Sequence, residues 1–189
     1  MKRRALPGLA DVEVLIQEDE IDRKVVELAA RVEKDYRGKP LLVVGVLKGA
    51  WVFLADLVRR IPYPVEVDFL KVSSYGKATE SSGEVRFEMD FSRAVEGKDV
   101  LIVEDIVDTG VTLHYLMKNL ATRKPASVKL CVLLDKPARR KADIPIAYRG
   151  FEIPDRFVVG YGLDCAEQYR NLPFVAALTN DQAKTICGR

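Results

Sequence analysis

Residues 100–113 read VLIVEDIVDTGVTL. The first four, Val100 to Val103, are apolar and mostly β-branched, the composition of a strand buried on both faces and hence of a parallel sheet. Glu104, Asp105, Asp108, Thr109 and Thr112 follow, with Gly110 among them. Acids crowded at the mouth of an apolar strand repel one another, so a bound group has to offset them. A helix is predicted from about 110 to 122, which puts Asp108 to Thr112 around its N-terminus, where free N–H groups and the helix dipole attract an anion. Gly110 permits close backbone approach, Thr109 and Thr112 add hydroxyl donors, and a phosphate monoester fits that nest. Glu104 and Asp105, in the turn just ahead, can accept hydrogen bonds from vicinal hydroxyls or hold a hard cation through water. Phosphate, diol and divalent cation in that order describe a ribose 5-phosphate. A lone Asp108 would read as an ordinary helix N-cap. The adjacent acids and the D-T-G-x-T spacing are what that plainer reading leaves unexplained.

The flanking sequence repeats the strand–helix alternation. Ile21, Val25, Leu28, Ala29 and Val32 recur at helical spacing over 18–37, and Gly38-Lys39-Pro40 stops them. Leu41 to Leu47 is another strand of the buried type, followed after Lys48-Gly49 by a helix from Ala50 to Arg60. Strands are predicted over 65–72, around 85–91, over 99–104 and 127–134, with short ones at 157–160 and 174–178. Residues 73–84, SSYGKATESSGE, are small and polar without apolar periodicity and read as a mobile loop. Such alternation makes an α/β chain whose parallel sheet carries helices on both faces. Ligands in such sheets sit beyond the carboxyl ends of the strands. No repeat or linker divides the chain, so residues 1–189 read as a single domain.

A chain of 189 residues can bury a sizeable core. Its net charge of +2 gives no bulk electrostatic reason to expect nucleic acid or a membrane surface as partner. No stretch approaches the roughly 20 apolar residues of a membrane span. The basic start has no apolar segment behind it, which argues against a secretory signal. Cys131, Cys165 and Cys187 are odd in number and lack C-x-x-C spacing; this argues against a disulfide framework or zinc site and suits a reducing cytoplasm. The chain has no G-x-x-x-x-G-K-[ST] for a P-loop. GYGLDC at 160–165 begins like a dinucleotide fingerprint, but Cys165 stands where the third glycine belongs.

VLIVEDIVDTGVTL resembles the phosphoribosyl-pyrophosphate signature of the type I phosphoribosyltransferases. VGVLKGAWVFLADL at 44–57, SSYG at 73–76, LLDKPARR at 133–140 and FVVGYGLDCAEQYRNLP at 157–173 resemble the hypoxanthine-guanine branch. The resemblance implies a type I phosphoribosyltransferase fold: a five-stranded, mainly parallel sheet flanked by helices, with a small hood from both chain ends. It implies transfer of 5-phosphoribose from phosphoribosyl pyrophosphate to N9 of a 6-oxopurine, with Mg²⁺ as cofactor and pyrophosphate released, in purine salvage. It also implies a homodimer or homotetramer.

By position, the resemblance assigns Asp108 as the general base and Glu104 and Asp105 to the ribose hydroxyls and metal. Asp108, Thr109, Gly110, Val111 and Thr112 would form the 5′-phosphate loop. Lys48, Gly49 and Arg170 would contact pyrophosphate, with a cis peptide between Leu47 and Lys48. Lys136 would donate to the purine O6, Phe157 would stack on the base, the Val158 backbone would meet its edge, and Asp164 would border it while holding a second Mg²⁺. Ser74 and Tyr75 would head a lid. The chemistry agrees independently. Loss of pyrophosphate leaves an oxocarbenium-like carbon that anionic oxygens stabilise, while the leaving group wants Mg²⁺ and N–H donors. A carboxylate base also profits from neighbouring acids that raise its pKa. Cys165 departs from the aromatic residue many relatives carry, and Ala50 from Gly or Ser; neither is a group the chemistry needs. A xanthine/guanine-preferring enzyme, an RNA-binding regulator on the same fold and a plain cation-binding module are the competing readings.

Overall fold

Leu41–Val46 (β3) is apolar without interruption and buried at every position, which only a strand covered on both faces can satisfy. Its neighbours on either side are Glu66–Ser74 (β4) and Asp99–Val107 (β6), both parallel to it, in registers that set Val44 opposite Asp68 and Ile102. Ser127–Asp135 (β7) and Tyr148–Glu152 (β8) continue the parallel sheet, and Val85–Met89 (β5) pairs antiparallel at the other edge. The sheet order is β5-β4-β3-β6-β7-β8. The sheet is mainly parallel as expected but has six strands, five of them parallel, where five in all were expected. This computed structural model describes residues 3–6, 9–74 and 85–188.

Period-two alternation divides the strand side chains between two cores. Leu41, Val43, Leu101, Val103, Cys131 and Leu133 face Glu18–Tyr36 (α1) and Trp51–Val58 (α2). Leu42, Val44, Val100, Ile102, Leu130 and Val132 face Val111–Ala121 (α3) through Leu113, Leu116 and Leu120. The amphipathic period of α1 explains its docking: Ile21, Val25, Leu28, Ala29 and Val32 are all buried. Three acids in its first turn and a Gln17–Glu20 capping box satisfy its N-terminus.

A second, antiparallel sheet is built from both chain ends: Arg3–Leu6 (β1), Leu9–Ile16 (β2), Val175–Leu178 (β10) and Phe157–Val159 (β9), in that order. Val12, Val14, Val159, Phe174, Ala176 and Leu178 form its core, against which Asn180–Cys187 (α4) packs through Ala183 and Ile186.

Three expectations change. Strand β6 does not stop at 104 but runs to Val107, so Glu104 and Asp105 lie on the strand and not in a turn. Strands β1, β2 and β8 were not anticipated. Finally, Cys165 and Cys187 form a disulfide with a Cα–Cα distance of 5.3 Å, leaving Cys131 free and buried. The cause is topological: α4 folds back onto the segment carrying Cys165, a proximity that spacing in sequence does not reveal.

Candidate active site

Because β6 continues past Val103, its consecutive acids border different pockets. Glu104 borders a pocket of about 240 Å³ shared with Val46, Thr109, Gly110 and Thr112. Asp105 borders a larger cleft of about 930 Å³. Burial pushes the Glu104 carboxyl well above the usual carboxylate range, and the Asp105 charge pushes it further. Burial also raises Asp105, partly offset by the Ile106 N–H that donates to its Oδ1 at 2.8 Å and by the hydrogen bond from Glu104. Glu104 keeps its Oε2 buried without a hydrogen bond among the described residues.

The smaller pocket is the predicted phosphate nest. Gly110 sits in the left-handed region at φ 78° and serves as the N-cap of α3, and Thr112 and Leu113 of its first turn border the pocket. Thr109 is anchored from behind, its carbonyl accepting from the Lys141 and Ala142 amides at 2.9 and 3.1 Å. Asp108 borders both pockets.

The larger cleft brings Lys136, Phe157, Val158 and Asp164 together with Asp105 and Asp108. Lys136 follows β7 and is only 7% exposed. Burial lowers the pKa of its ammonium, opposed by the charges of Asp108 and Asp155; Asp155 lies 3.9 Å away. Arg139 joins the two acids, with Nε 2.6 Å from Asp108 Oδ1 and Nη1 3.4 Å from Asp155 Oδ1. The acids expected around Asp108 are therefore outflanked by a guanidinium. Mutual repulsion acts instead between Glu104 and Asp105.

On the other side of Asp105 lie the residues expected at the pyrophosphate. The Leu47–Lys48 peptide is cis, as the resemblance implied. Lys48 Nζ pairs with Glu167 Oε2 at 2.9 Å, and this bond, with a further one from Arg170, holds the Glu167 carboxyl below its usual range. Arg170 Nη2 also reaches Asp164 Oδ1 at 2.8 Å, while its Nη1 donates to the Gly162 carbonyl at 2.9 Å. Two glycines make these approaches possible. A Cβ on Gly49 would lie 1.7 Å from Asp105 Oδ2, and one on Gly162, at φ 100°, would lie 2.1 Å from the Gly49 carbonyl. Tyr161 fixes this segment from below, its hydroxyl donating to Asp56 on α2 at 2.6 Å.

Of the site residues predicted from sequence, Glu104, Asp105, Asp108, Thr109, Gly110, Thr112, Lys136, Phe157, Val158 and Asp164 line the two pockets, whereas Lys48, Gly49, Val111 and Arg170 line neither, and two more belong to the lid. Ser74 ends β4, and Tyr75 lies outside the described residues, as does most of 73–84. The sequence reading missed Arg139, Asp155 and Glu167, whose charges partner the predicted groups, and Asn180, Ala183 and Lys184 of α4, which line the cleft. The LLDKPARR block contained Arg139, but nothing in it reveals that this side chain turns back onto Asp108. Among the described residues, no three His, Cys, Asp or Glu side chains converge as a ready metal cage.

Known proteins resemble this chain in sequence and fold. The sequence pattern of the family described as the phosphoribosyl transferase domain matches residues 15–166. The hypoxanthine-guanine phosphoribosyltransferase of Bacillus subtilis is 54% identical over 169 residues, covering 89% of this chain and 94% of that one. A hypoxanthine phosphoribosyltransferase crystal structure from Staphylococcus aureus superposes with a TM-score of 0.87 at 51% identity, covering 89% of this chain and 92% of that one. One of a hypoxanthine-guanine phosphoribosyltransferase from Bacillus anthracis gives 0.85 at 50% identity, covering 88% and 98%. The chain belongs to the phosphoribosyltransferase family, within the branch of the hypoxanthine-guanine enzymes.

Proposed function

We propose that this protein transfers 5-phosphoribose from phosphoribosyl pyrophosphate to N9 of hypoxanthine or guanine, forming IMP or GMP and releasing pyrophosphate. The observation that carries the reading is that Asp108 borders both the small nest at the start of α3 and the large cleft holding Lys136 and Phe157. A sugar phosphate seated in the nest would direct its anomeric carbon toward a base in the cleft, with one carboxylate between them.

The roles follow from that placement. The amides and hydroxyls of Thr109, Gly110, Val111 and Thr112 hold the 5′-phosphate, where the α3 dipole favours negative charge. Glu104 and Asp105 accept from the ribose hydroxyls, and their oxygens stabilise positive charge at the anomeric carbon as pyrophosphate departs. Asp108 takes the N7 proton of the purine while N9 attacks. Lys136 donates to O6, which selects 6-oxo over 6-amino bases; Phe157 stacks on the ring and the Val158 backbone meets its edge. Lys48, the Gly49 amide and Arg170 bind pyrophosphate, after exchanging the Glu167 contacts for the ligand. Ser74 and Tyr75 close over the intermediate and exclude water.

The donor set suits Mg²⁺. This ion binds through one or two carboxylates plus substrate phosphates and not through an all-protein cage, and Asp105 and Asp164 both face the cleft. Glu104, with an unsatisfied buried oxygen, supports Asp105 from the strand. When bound, Mg²⁺ neutralises charge on the departing pyrophosphate. The family resemblance extends the proposal to a cytoplasmic protein that works as one domain and assembles as a homodimer or homotetramer.

The test mixes protein, phosphoribosyl pyrophosphate and Mg²⁺ with hypoxanthine, guanine, xanthine or adenine and follows pyrophosphate release. Turnover is expected with the first two bases, little or none with adenine, and none after chelation. No turnover with any base would overturn the reading.

A further inference from the structure

Helix α4 forms one wall of the large cleft, through Asn180, Ala183 and Lys184. Those positions and Cys187 are spaced i, i+3, i+4 and i+7, so the cysteine lies on the same helical stripe as the wall. Its partner, Cys165, directly follows Asp164, which also lines the cleft. The disulfide therefore ties α4 to the segment that carries Asp164. Apart from the disulfide, α4 rests on the second sheet through Ala183 and Ile186 and is capped by Thr179 and Gln182. It is eight residues long and buries none of them fully, and a helix of that length is marginal without tertiary support.

We propose that the Cys165–Cys187 disulfide is a redox switch on the purine cleft: oxidised, it fixes α4 as a wall, and reduced, it releases α4 and weakens binding of the purine and its nucleotide product. The proposal rests on the function given above for the identity of the ligand. Cys165 is buried and Cys187 only partly so, so the Cys187 sulfur is the accessible one. A thiolate of a dithiol reductant attacks it, the S–S bond breaks, and Cys165 leaves as a thiolate and takes a proton. The second thiol of the reductant then displaces Cys187, which is protonated in turn, and the reductant closes to its own disulfide. Two electrons and two protons pass to the protein. Stable disulfides are rare in the cytoplasm, where those present are usually transient or redox-sensing.

The experiment uses the full chain, air-oxidised or treated with dithiothreitol, beside the Cys187→Ser variant. Mass spectrometry after thiol alkylation counts the free cysteines, titration calorimetry measures GMP affinity, and amide exchange reports on α4 and residues 160–170. The expected results are one free thiol in the oxidised protein and three in the reduced one. GMP should bind at least five-fold more weakly after reduction, with faster exchange in α4. Cys187→Ser should match the reduced protein and ignore dithiothreitol. Three free thiols in the air-oxidised protein, or equal α4 exchange and GMP affinity in both states, would overturn the switch. Failure of the proposed function is told apart by the exchange data: a protein that binds no GMP in either state, yet loses α4 protection on reduction, retains the mechanical switch and loses the purine ligand.

Discussion

Arg139 Nε lies 2.6 Å from Asp108 Oδ1, so the carboxylate proposed to deprotonate the purine is engaged by a cation in the free protein. Both side chains are more than 40% exposed, and ion pairs of that kind contribute at most about 1 kcal/mol. Incoming base can break the pair at small cost, and Asp155, already 3.4 Å from Arg139, can keep the guanidinium. Arg139→Gln should therefore change the KM for hypoxanthine by no more than about five-fold, the equivalent of that 1 kcal/mol. A hundred-fold effect would show that Arg139 takes part in the chemistry.

Asp108→Asn removes the proton acceptor while keeping the shape. General-base catalysis contributes roughly 10²–10⁴-fold, and kcat should fall within that range. Equilibrium binding of phosphoribosyl pyrophosphate should weaken far less, because backbone amides supply most of the phosphate nest. Single-turnover kinetics separates the two quantities.

Lys136→Met deletes the only charged donor assigned to O6. A hydrogen bond to a charged group contributes about 1.5–3 kcal/mol, so kcat/KM for hypoxanthine should drop roughly 10- to 150-fold, with discrimination against adenine reduced. Burial lowers the Lys136 pKa from its ordinary 10.5, so activity that depends on the ammonium should begin to fall below that pH. The linkage has a definite sign. Between the lowered folded value and 10.5 the unfolded chain binds the extra proton, so Lys136 makes stability rise with pH across that window. Lys136→Met should lose both dependences; a wild-type alkaline limb that survives the substitution belongs to another group.

Glu104 carries the opposite sign. Its raised pKa means the folded protein binds more protons than the unfolded one above the ordinary 4.5, so stability is lost as pH rises from there through the folded value. Glu104→Gln keeps the shape without the charge. Each kcal/mol relieved should raise Tm by about 2–4 °C in a chain of this size. The gain should be visible at pH 8 and vanish toward pH 4, while affinity for phosphoribosyl pyrophosphate falls. Thermal melts across that range decide the matter.

Gly49→Ala isolates positioning. Gly49 does not sit at positive φ, so the added methyl strains no backbone angle, yet it would lie 1.7 Å from Asp105 Oδ2. Displacing that carboxylate by an ångström should cost roughly 100-fold in kcat/KM. A near-normal rate would show that Asp105 tolerates a shifted position.

Much of this site was legible because its groups sit at strand ends, where an apolar run marks the place at which functional side chains emerge. The runs at 41–47, 99–104 and 127–134 located Lys48, Glu104, Asp105, Asp108 and Lys136 in sequence. Strand β8, YRGFE, is short and lies at the sheet edge, and Arg149 and Gly150 break its apolar run. Strand β2 did carry a signal: Val12, Val14 and Ile16 are buried and alternate with the less buried Glu13 and Leu15. The extension of β6 was hidden because acids normally end strands; here Asp105 is tolerated inside one, against the bare backbone of Gly49. Arg139 on Asp108, Asp155 beside Lys136 and Cys187 on Cys165 are contacts between separate elements, which no local periodicity encodes.

The second sheet has a consequence for how this molecule comes into being. Strand β10 is sandwiched between β2 and β9, so Val14 and Ile16 find their partners only at Ala176 and Val175. On a ribosome, the parallel sheet can be complete while the second sheet still lacks the strand between β2 and β9. The sheet that carries Phe157 and Val158 is therefore completed late in synthesis, only once β10 has been added between its two neighbours.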